Sequence, residues 1–127
     1  MRKTKSAVAV MLGIMLFASS SVNCLAATSI TNGSVGGYRT EGGSSFSTSS
    51  YYSYTSCGTD ASVSLNGTVR FVRPYDGATT ARGIGKSAYA TEVIVRGSAP
   101  STYNVLSMVV THKAIKNGTW TGVSNAQ

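Results

Sequence analysis

The sequence predicts an all-β protein, a small antiparallel β-sandwich or barrel that follows a cleaved N-terminal signal helix. Three stretches, 61–72, 87–96 and 103–115, are rich in the β-branched and aromatic residues that strands favour. Turn-forming residues bound them, including 74–77 and 117–118. Beyond the signal segment, no long stretch shows the 3.6-residue apolar period of a helix. An antiparallel all-β arrangement is therefore the fold class that we expect.

Residues 1–26 have the three parts of a secretory signal peptide. Three basic residues lie within 2–5, an apolar stretch of 11 residues covers 7–17, and a small-x-small pattern ends at Ala26. A helix that spans a bilayer needs roughly 20 apolar residues, so this stretch is too short for a permanent membrane anchor. We expect cleavage after Ala26 and secretion of the mature chain.

Removal of residues 1–26 from the 127 leaves 101, enough for one small domain. Composition divides this domain into two segments. Residues 27–57 are rich in Gly, Ser and Tyr, and we expect them to be flexible or to supply an edge strand, with 50–55 as the most strand-like part. Residues 58–127 contain the three strand-like stretches and are predicted to form the antiparallel β domain.

Asn66 and Gly67 lie inside the first strand-like stretch and form a dipeptide typical of two-residue hairpin turns. A tight turn there would put the apolar residues before it on the opposite face from those after it. A bulge at Gly67 would restore a single apolar face. The pattern leaves two alternatives, a bulged long strand or a hairpin with a looser turn.

Alternation of apolar residues assigns the faces of the last strand-like stretch. Leu106, Met108 and Val110 are expected to share one face, with Val105 and Val109 on the other. Such a strand packs one face fully and covers the other in part.

The mature chain is mildly basic. Three of the 11 basic residues lie within 1–26, so the formal charge falls from +7 to +4 on cleavage. A basic exported protein is attracted to anionic surfaces such as phospholipid head groups or cell-wall polymers. Export and the modest charge argue against a nucleic-acid partner. The expected partner is an anionic cell-envelope component or a cell-wall precursor.

The residue types of catalytic and metal sites are scarce in the mature chain. Cys57 and His112 are its soft metal ligands, too few for a zinc site. The single cysteine excludes an intrachain disulfide and leaves open whether Cys57 is buried or pairs between chains. There is no Gly-x-Ser-x-Gly elbow, and the spacing of the four acidic residues brings no two carboxylates together. We expect neither an enzyme nor a bound metal or cofactor.

Aromatic and basic side chains are the candidate ligand contacts. Rings can stack on a ligand, and bases can bind phosphates or carboxylates. The alternative, that most of the rings form the core of a domain poor in Leu and Phe, stays open. The candidate ligand-binding residues are Tyr51, Tyr52, Tyr54, Arg70, Arg73, Arg82 and Lys86.

Three segments in order resemble a known family. They are Ser50-Tyr51-Tyr52-Ser53-Tyr54, followed by the small-residue strand Ala61-Ser62-Val63, and then Ala81-Arg82-Gly83-Ile84-Gly85-Lys86-Ser87-Ala88. The order is similar to the pattern of the secreted, unmodified lactococcin-type bacteriocins. The resemblance implies a small β-sandwich that acts on the cell-wall precursor lipid II and blocks septum formation.

The function that we expect is that of a secreted, non-enzymatic β protein that binds at a cell envelope in the manner of a bacteriocin. The alternative is a structural or extracellular interaction protein that self-assembles into homo-oligomers, with a Gly/Ser-rich N-terminal segment and sheet edges that pair between copies.

Overall fold

The computed structural model describes residues 27–127, and the predicted signal peptide lies outside this range. The described chain forms an antiparallel, nearly closed, barrel-like sheet, which confirms the all-β prediction. Its six strands are β1 (Ala27–Val35), β2 (Tyr38–Phe46), β3 (Ser50–Val72), β4 (Thr79–Ser98), β5 (Asn104–Ile115) and β6 (Thr119–Ala126). No helix within residues 27–127 has the length and apolarity that crossing a membrane would require.

The 23-residue strand β3 organises the sheet. β4 pairs along nearly the whole of one edge of β3, whereas the other edge pairs first with β2 and then with β5. The register of β3 against β4 shifts between Ser56 and Ala61, where the long hairpin bends. The first layer of the barrel therefore contains β1, β2, the first part of β3 and the second half of β4, and the second layer contains the first half of β4, the second part of β3, β5 and β6. The two layers face each other across the core.

Composition suggests a flexible or edge-strand segment at 27–57; β1 is an edge strand of the sheet, whereas the rest of the segment is not. Two strands, β1 and β2, occupy most of it, and 50–55 lies in the interior of the sheet because β2 and β4 pair with it on both sides. The small residues have packing roles that composition does not reveal. The ring of Tyr54 lies directly over Gly43, where a Cβ would overlap it. The buried hydroxyl of Ser44 is 3.1 Å from that of Ser53, so this polar strand is hydrogen bonded inside the barrel.

Asn66 and Gly67 lie within a continuous strand, and the structure has no turn there. The residues of β3 on both sides of Gly67 therefore keep one parity, and the apolar ones share the core face without a bulge at this point. Gly67 leaves room for the neighbouring strand, because a Cβ would overlap the backbone carbonyl of Val109. The predicted long strand is observed without its bulge, and the alternative of a hairpin with a looser turn is wrong.

A second register shift lies between Arg70 and Phe71, opposite the start of β5. It overturns the strict alternation expected there, since Val105 is buried with Met108 and Val110 while Leu106 is 45% exposed. An extra residue in one strand of a pair changes the face of the side chains that follow it. The remaining core comes from both layers and includes Phe46, Tyr51, Val63, Leu65, Val69, Phe71, Val93, Ala114 and Trp120.

Candidate functional site

The surface of the described chain is more basic than its formal charge indicates. Glu41 is only 6% exposed, Glu92 is half-buried, and Asp76 is paired with Arg73 at 2.9 Å. Among residues 27–127, Asp60 is the one exposed carboxylate without an ion pair. The exposed bases are Arg39, Arg70, Arg82, Lys86, Arg96 and Lys113. An approaching ligand therefore meets mostly positive charge.

Arg82 and Lys86 connect the two layers on the side where β4 is the edge strand. The Nη1 atom of Arg82 donates hydrogen bonds to the hydroxyl of Tyr51 at 2.8 Å and to the carbonyl of Ser98 at 3.0 Å. Lys86 Nζ donates to the carbonyl of Ile94 at 3.4 Å. Both carbonyls belong to the second half of β4, whereas Arg82 and Lys86 belong to its first half. Side chains of one half of the strand therefore bind backbone acceptors of the other half. Charged side chains at such a position discourage pairing with a foreign strand.

Tyr52 and Tyr54 lie on the opposite face of the first layer from the barrel core. Their ring centroids are 6.0 Å apart, and Ile30 and Ile94 pack against them as a second, smaller apolar cluster. The hydroxyl of Tyr54 donates a hydrogen bond to the carboxylate of Glu41. Burial is the main cause that raises the pKa of Tyr54, and its contact with Glu41 raises it further. Tyr54 is therefore a neutral hydrogen-bond donor at any physiological pH.

Glu92 and Arg96 complete this cluster from β4. The guanidinium carbon of Arg96 lies 5.0 Å from the ring centroid of Tyr52, within cation–π distance. Burial raises the pKa of Glu92, an effect that Arg96 opposes. The Oε2 atom of Glu92 is buried and has no hydrogen-bond partner. The cluster is thus a set of aromatic, acidic and basic groups in which one carboxylate oxygen is unsatisfied.

Tyr54→Phe is expected to lower the free energy of unfolding of the 27–127 chain by about 2 kcal/mol, because the buried Glu41 carboxylate loses a hydrogen-bond donor. Tyr75→Phe removes the same atom from a ring that is 75% exposed, and it should change that free energy by less than about 0.5 kcal/mol. Urea unfolding at pH 7 measures both variants. Equal effects would contradict a stabilising role for the Tyr54–Glu41 hydrogen bond.

A continuous chain of hydrogen bonds around His112 joins the two layers inside the barrel. The Nε2 atom of His112 lies 2.7 Å from the hydroxyl of Ser124, which in turn lies 2.6 Å from that of Ser44. On the other side of the ring, Nδ1 lies 2.8 Å from the hydroxyl of Thr55. Thr55 donates to the carbonyl of Ser64 at 2.9 Å, so Nδ1 carries the ring proton and donates to Thr55 while Nε2 accepts from Ser124. The neutral ring is fully hydrogen bonded.

The burial of this hydrogen-bonded network determines the protonation state of His112. His112 and Ser124 are both 0% exposed, and burial lowers the pKa of His112 to about 4. The group on the far side of the imidazole is a hydroxyl, Thr55, where a hydrolytic triad has a carboxylate. The described arrangement fits a structural role that connects the layers. Within residues 27–127, no three His, Cys, Asp or Glu side chains are grouped so that they could hold a metal ion.

Arg73, the residue that follows β3, lies over two aromatic rings. Its guanidinium carbon lies 5.0 Å from the ring centroid of Tyr75 and 5.2 Å from that of Tyr103. Two hydrogen bonds to Asp76, at 3.0 and 2.9 Å, raise the pKa of Arg73 and lower that of Asp76. The predicted turn at 74–77 is present, with Gly77 at φ 74°. Arg73 is thus held by its own turn.

The seven sequence-predicted contact residues fall into separate regions. Tyr51 lies in the barrel core beside Arg82, whereas Tyr52 and Tyr54 form the cluster on the other face of the same layer. Arg73 is paired within its turn, and Lys86 lies further along β4. Arg70 is exposed on β3, opposite Ala81 of β4. The structure joins Tyr51 with Arg82 and Tyr52 with Tyr54, and it does not gather all seven into one site.

Three residues of the described clusters were outside the predicted set: Glu41, Glu92 and Arg96. Glu92 and Arg96 share one face of β4 because they are four residues apart, a signal present in the sequence. Glu41 reaches the cluster through the pairing of β2 with β3, which places it beside Ser56. Composition suggested no strand at 38–46, so this contact could not be anticipated.

Cys57 is buried and forms no disulfide. Comparison of the chain with protein-family models, curated proteins and solved structures finds no match.

Proposed function

We propose that the mature chain is an exported, non-enzymatic β protein that binds an anionic component of a cell envelope, in the manner of a bacteriocin. The observation that carries this proposal is the charge imbalance of the described surface. Six bases are exposed there, while three of the four acids of the mature chain are buried, half-buried or paired with Arg73. A surface of one sign attracts oppositely charged polymers and membranes and accelerates their encounter.

The arrangement of the bases favours a surface contact over a cleft. Arg70 and Lys86 lie on the second layer, on the long hairpin of β3 and β4, and most of the first half of β4 is exposed. Arg70 is on the outward face of this hairpin, whereas Lys86 pairs with the core residue Leu65, projects from the other face and donates to the carbonyl of Ile94. Both side chains are exposed, so each can contact a polyanion or a head group from solvent.

The resemblance to lactococcin-type bacteriocins supplies the target within this proposal, the cell-wall precursor lipid II. It rests on 50–54, 61–63 and 81–88, which lie in the paired strands β3 and β4. A pyrophosphate-bearing lipid combines the anionic group that the bases would bind with a membrane surface that would concentrate the protein.

Arg70→Gln combined with Lys86→Gln is expected to weaken binding of the processed chain to phosphatidylglycerol vesicles roughly 30-fold, because each base near an anionic membrane contributes about 1 kcal/mol. Arg39→Gln with Lys113→Gln is the matched control. It removes the same charge from exposed positions outside the predicted set. Co-sedimentation with vesicles and retention on washed Gram-positive cells measure both variants.

Three outcomes test, in turn, the binding residues, the recognition of anions and the bacteriocin-like action. Equal losses in both double variants would show that attraction is spread over the surface and is not concentrated at Arg70 and Lys86. Equal binding of the wild-type chain to phosphatidylcholine vesicles would refute recognition of anions. Binding to cells together with septal defects during growth would support the bacteriocin-like action.

Self-assembly is the second candidate, favoured by one observation. Within residues 27–127, the first half of β4 pairs only with β3, so its other edge is open. Open edges are sites of pairing between copies, and at this edge Arg82 and Lys86 oppose such pairing. Sedimentation velocity of the processed chain over a concentration series tests this, and oligomers that grow with concentration would favour assembly over envelope binding.

A further inference from the structure

A cavity opens at one end of the barrel, between the two layers. Its volume is about 360 Å³, and most of its wall is apolar. The apolar wall residues are Ala27, Phe46, Val72, Val105 and Leu106. They come from β1, β2, β3 and β5, so the cavity lies where the ends of four strands meet.

The size of the cavity distinguishes it from an ordinary packing defect. Protein interiors are packed to crystal density and have few voids larger than a water molecule. Binding pockets for small molecules begin at about 300 Å³ and are mostly apolar with a few polar groups. An apolar cavity of about 150 Å³ is enough to bind benzene, which has six carbons, so this cavity has room for roughly ten carbons or a few more.

The second register shift of β3 helps to form the mouth of this cavity. Leu106 is the extra residue of β5, because Phe71 pairs with Val105 and Arg70 pairs with Ser107. The Leu106 side chain is 45% exposed and also lines the cavity. Register shifts commonly re-aim side chains at the rim of a barrel. An apolar side chain that is partly in water and partly on the cavity wall suits a ligand that enters from solvent and leaves one end outside.

The predicted cleavage bears on the nature of that outer end. Ala27 lines the cavity and is the first residue after the predicted cleavage point. Cleavage would therefore place a new α-ammonium group beside the cavity, whose polar wall residues are Thr48, Asn104 and Gln127. We propose that the cavity of the processed chain binds a single aliphatic chain of about ten carbons that carries an anionic head group.

This site is distinct from the basic surface of the proposed function. Neither Arg70 nor Lys86 lines the cavity. The inference rests on the predicted cleavage for the head group and on the cavity itself for the aliphatic chain. Loss of vesicle binding in the double variant of Arg70 and Lys86 would therefore leave the cavity proposal unaffected.

Isothermal titration of decanoate into the processed 27–127 chain, which contains all six strands, tests the proposal. We expect saturable binding with one site, and binding of butyrate weaker by at least about 100-fold, because six methylene groups fewer are buried. Decyltrimethylammonium, with the same chain and a cationic head, should bind at least about 10-fold more weakly than decanoate.

Two variants place the ligand in the cavity. Leu106→Trp fills the mouth and Val72→Phe fills the wall, and each should weaken decanoate binding at least about 10-fold. Val123→Trp, at a position that is 55% exposed on β6, is the matched control and should leave binding unchanged. Thermal unfolding of each variant confirms that it is folded before titration.

The proposal is overturned if decanoate does not bind saturably, or if folded Leu106→Trp and Val72→Phe bind it as tightly as the wild-type chain. Equal binding of decanoate and decyltrimethylammonium would overturn the anionic head group. Vesicles that compete with decanoate for the cavity would identify membrane lipid as the source of the aliphatic chain, and failure to compete would identify a free fatty acid.

Discussion

Between pH 7 and pH 4, the free energy of unfolding of the 27–127 chain is expected to fall by about 3 kcal/mol through His112 alone. Burial lowers the pKa of this residue from its ordinary 6.5 to about 4 in the folded protein. The unfolded chain therefore binds a proton at a higher pH than the folded chain does. The stability due to the neutral imidazole is complete above pH 6.5 and is lost as the pH falls to about 4, at about 1.4 kcal/mol per pH unit in the steepest part.

Urea unfolding at half-unit intervals of pH measures this slope, and His112→Gln is the control variant. Glutamine offers a donor and an acceptor to the same hydroxyls but does not titrate. Glu92 acts in the opposite direction, because burial raises its pKa and its protonation at low pH relieves an unfavourable charge. The difference between wild type and His112→Gln at each pH removes that contribution. If this difference does not change with pH, His112 is not held neutral by its burial.

Gly42→Ala is expected to lower the free energy of unfolding by at least about 3 kcal/mol. Gly42 lies on β2 between Thr31 of β1 and Thr55 of β3, and it faces the other layer. A Cβ at this position would overlap the imidazole ring of His112. The ring is fully buried and hydrogen bonded on both nitrogens, so it can move only by breaking bonds that no water replaces.

Gly83→Ala is the matched control for this substitution. Gly83 is exposed on β4, and a Cβ there would meet no atom within 4 Å. Alanine should change the free energy of unfolding by less than about 1 kcal/mol, and in the stabilising direction, since glycine loses more backbone freedom on folding. Urea unfolding at pH 7 compares the two variants. Similar small effects would show that the layers can separate enough to accommodate a methyl group at Gly42.

The strands of the second half of the chain could be predicted because strand-favouring residues and turn-forming residues both mark them. The strand-like stretches at 61–72 and 87–96 lie within β3 and β4, and the stretch at 103–115 matches β5 from residue 104 onward. The turn at 74–77 connects β3 to β4, and the one at 117–118 connects β5 to β6. At 117–118 the residue types match the geometry, with Asn117 at φ 57° and Gly118 at φ 147°. These backbone angles favour Asn and Gly over other residues.

The first half could not be predicted in the same way, because its strands are specified by partners distant in sequence. Gly42, Gly43 and Ser44 have weak strand preference. They are buried in β2 because His112, Tyr54 and Ser124 occupy the space that larger side chains would fill. β6 is a similar case, since its strand was not anticipated and its alternate residues Trp120 and Ser124 face the core.

The sequence predicted the types of residue that are exposed for contact, but it did not predict how those residues are grouped in space. Arg70, Arg82 and Lys86 are exposed, as contact residues must be. Tyr51 lies in the core, consistent with the alternative that rings fill a domain poor in Leu and Phe. Whether a side chain of β3 faces the core or the other side of the layer depends on the bend between Ser56 and Ala61. The turn-forming residues at 58–60 mark an interruption there, but they do not indicate that the strand continues through it.

The position of Ser124 also governs when the barrel can be completed. A chain is synthesised from its N-terminus, and β6 is the last strand to appear. Until Ser124 emerges, Nε2 of His112 has no described donor and the surface that Trp120 covers beside Gly33 is open to water. The earlier strands can pair with one another, but the native core must wait for these last residues. The core of residues 27–127 therefore requires β6, and termination before Ser124 would leave the buried imidazole without this partner.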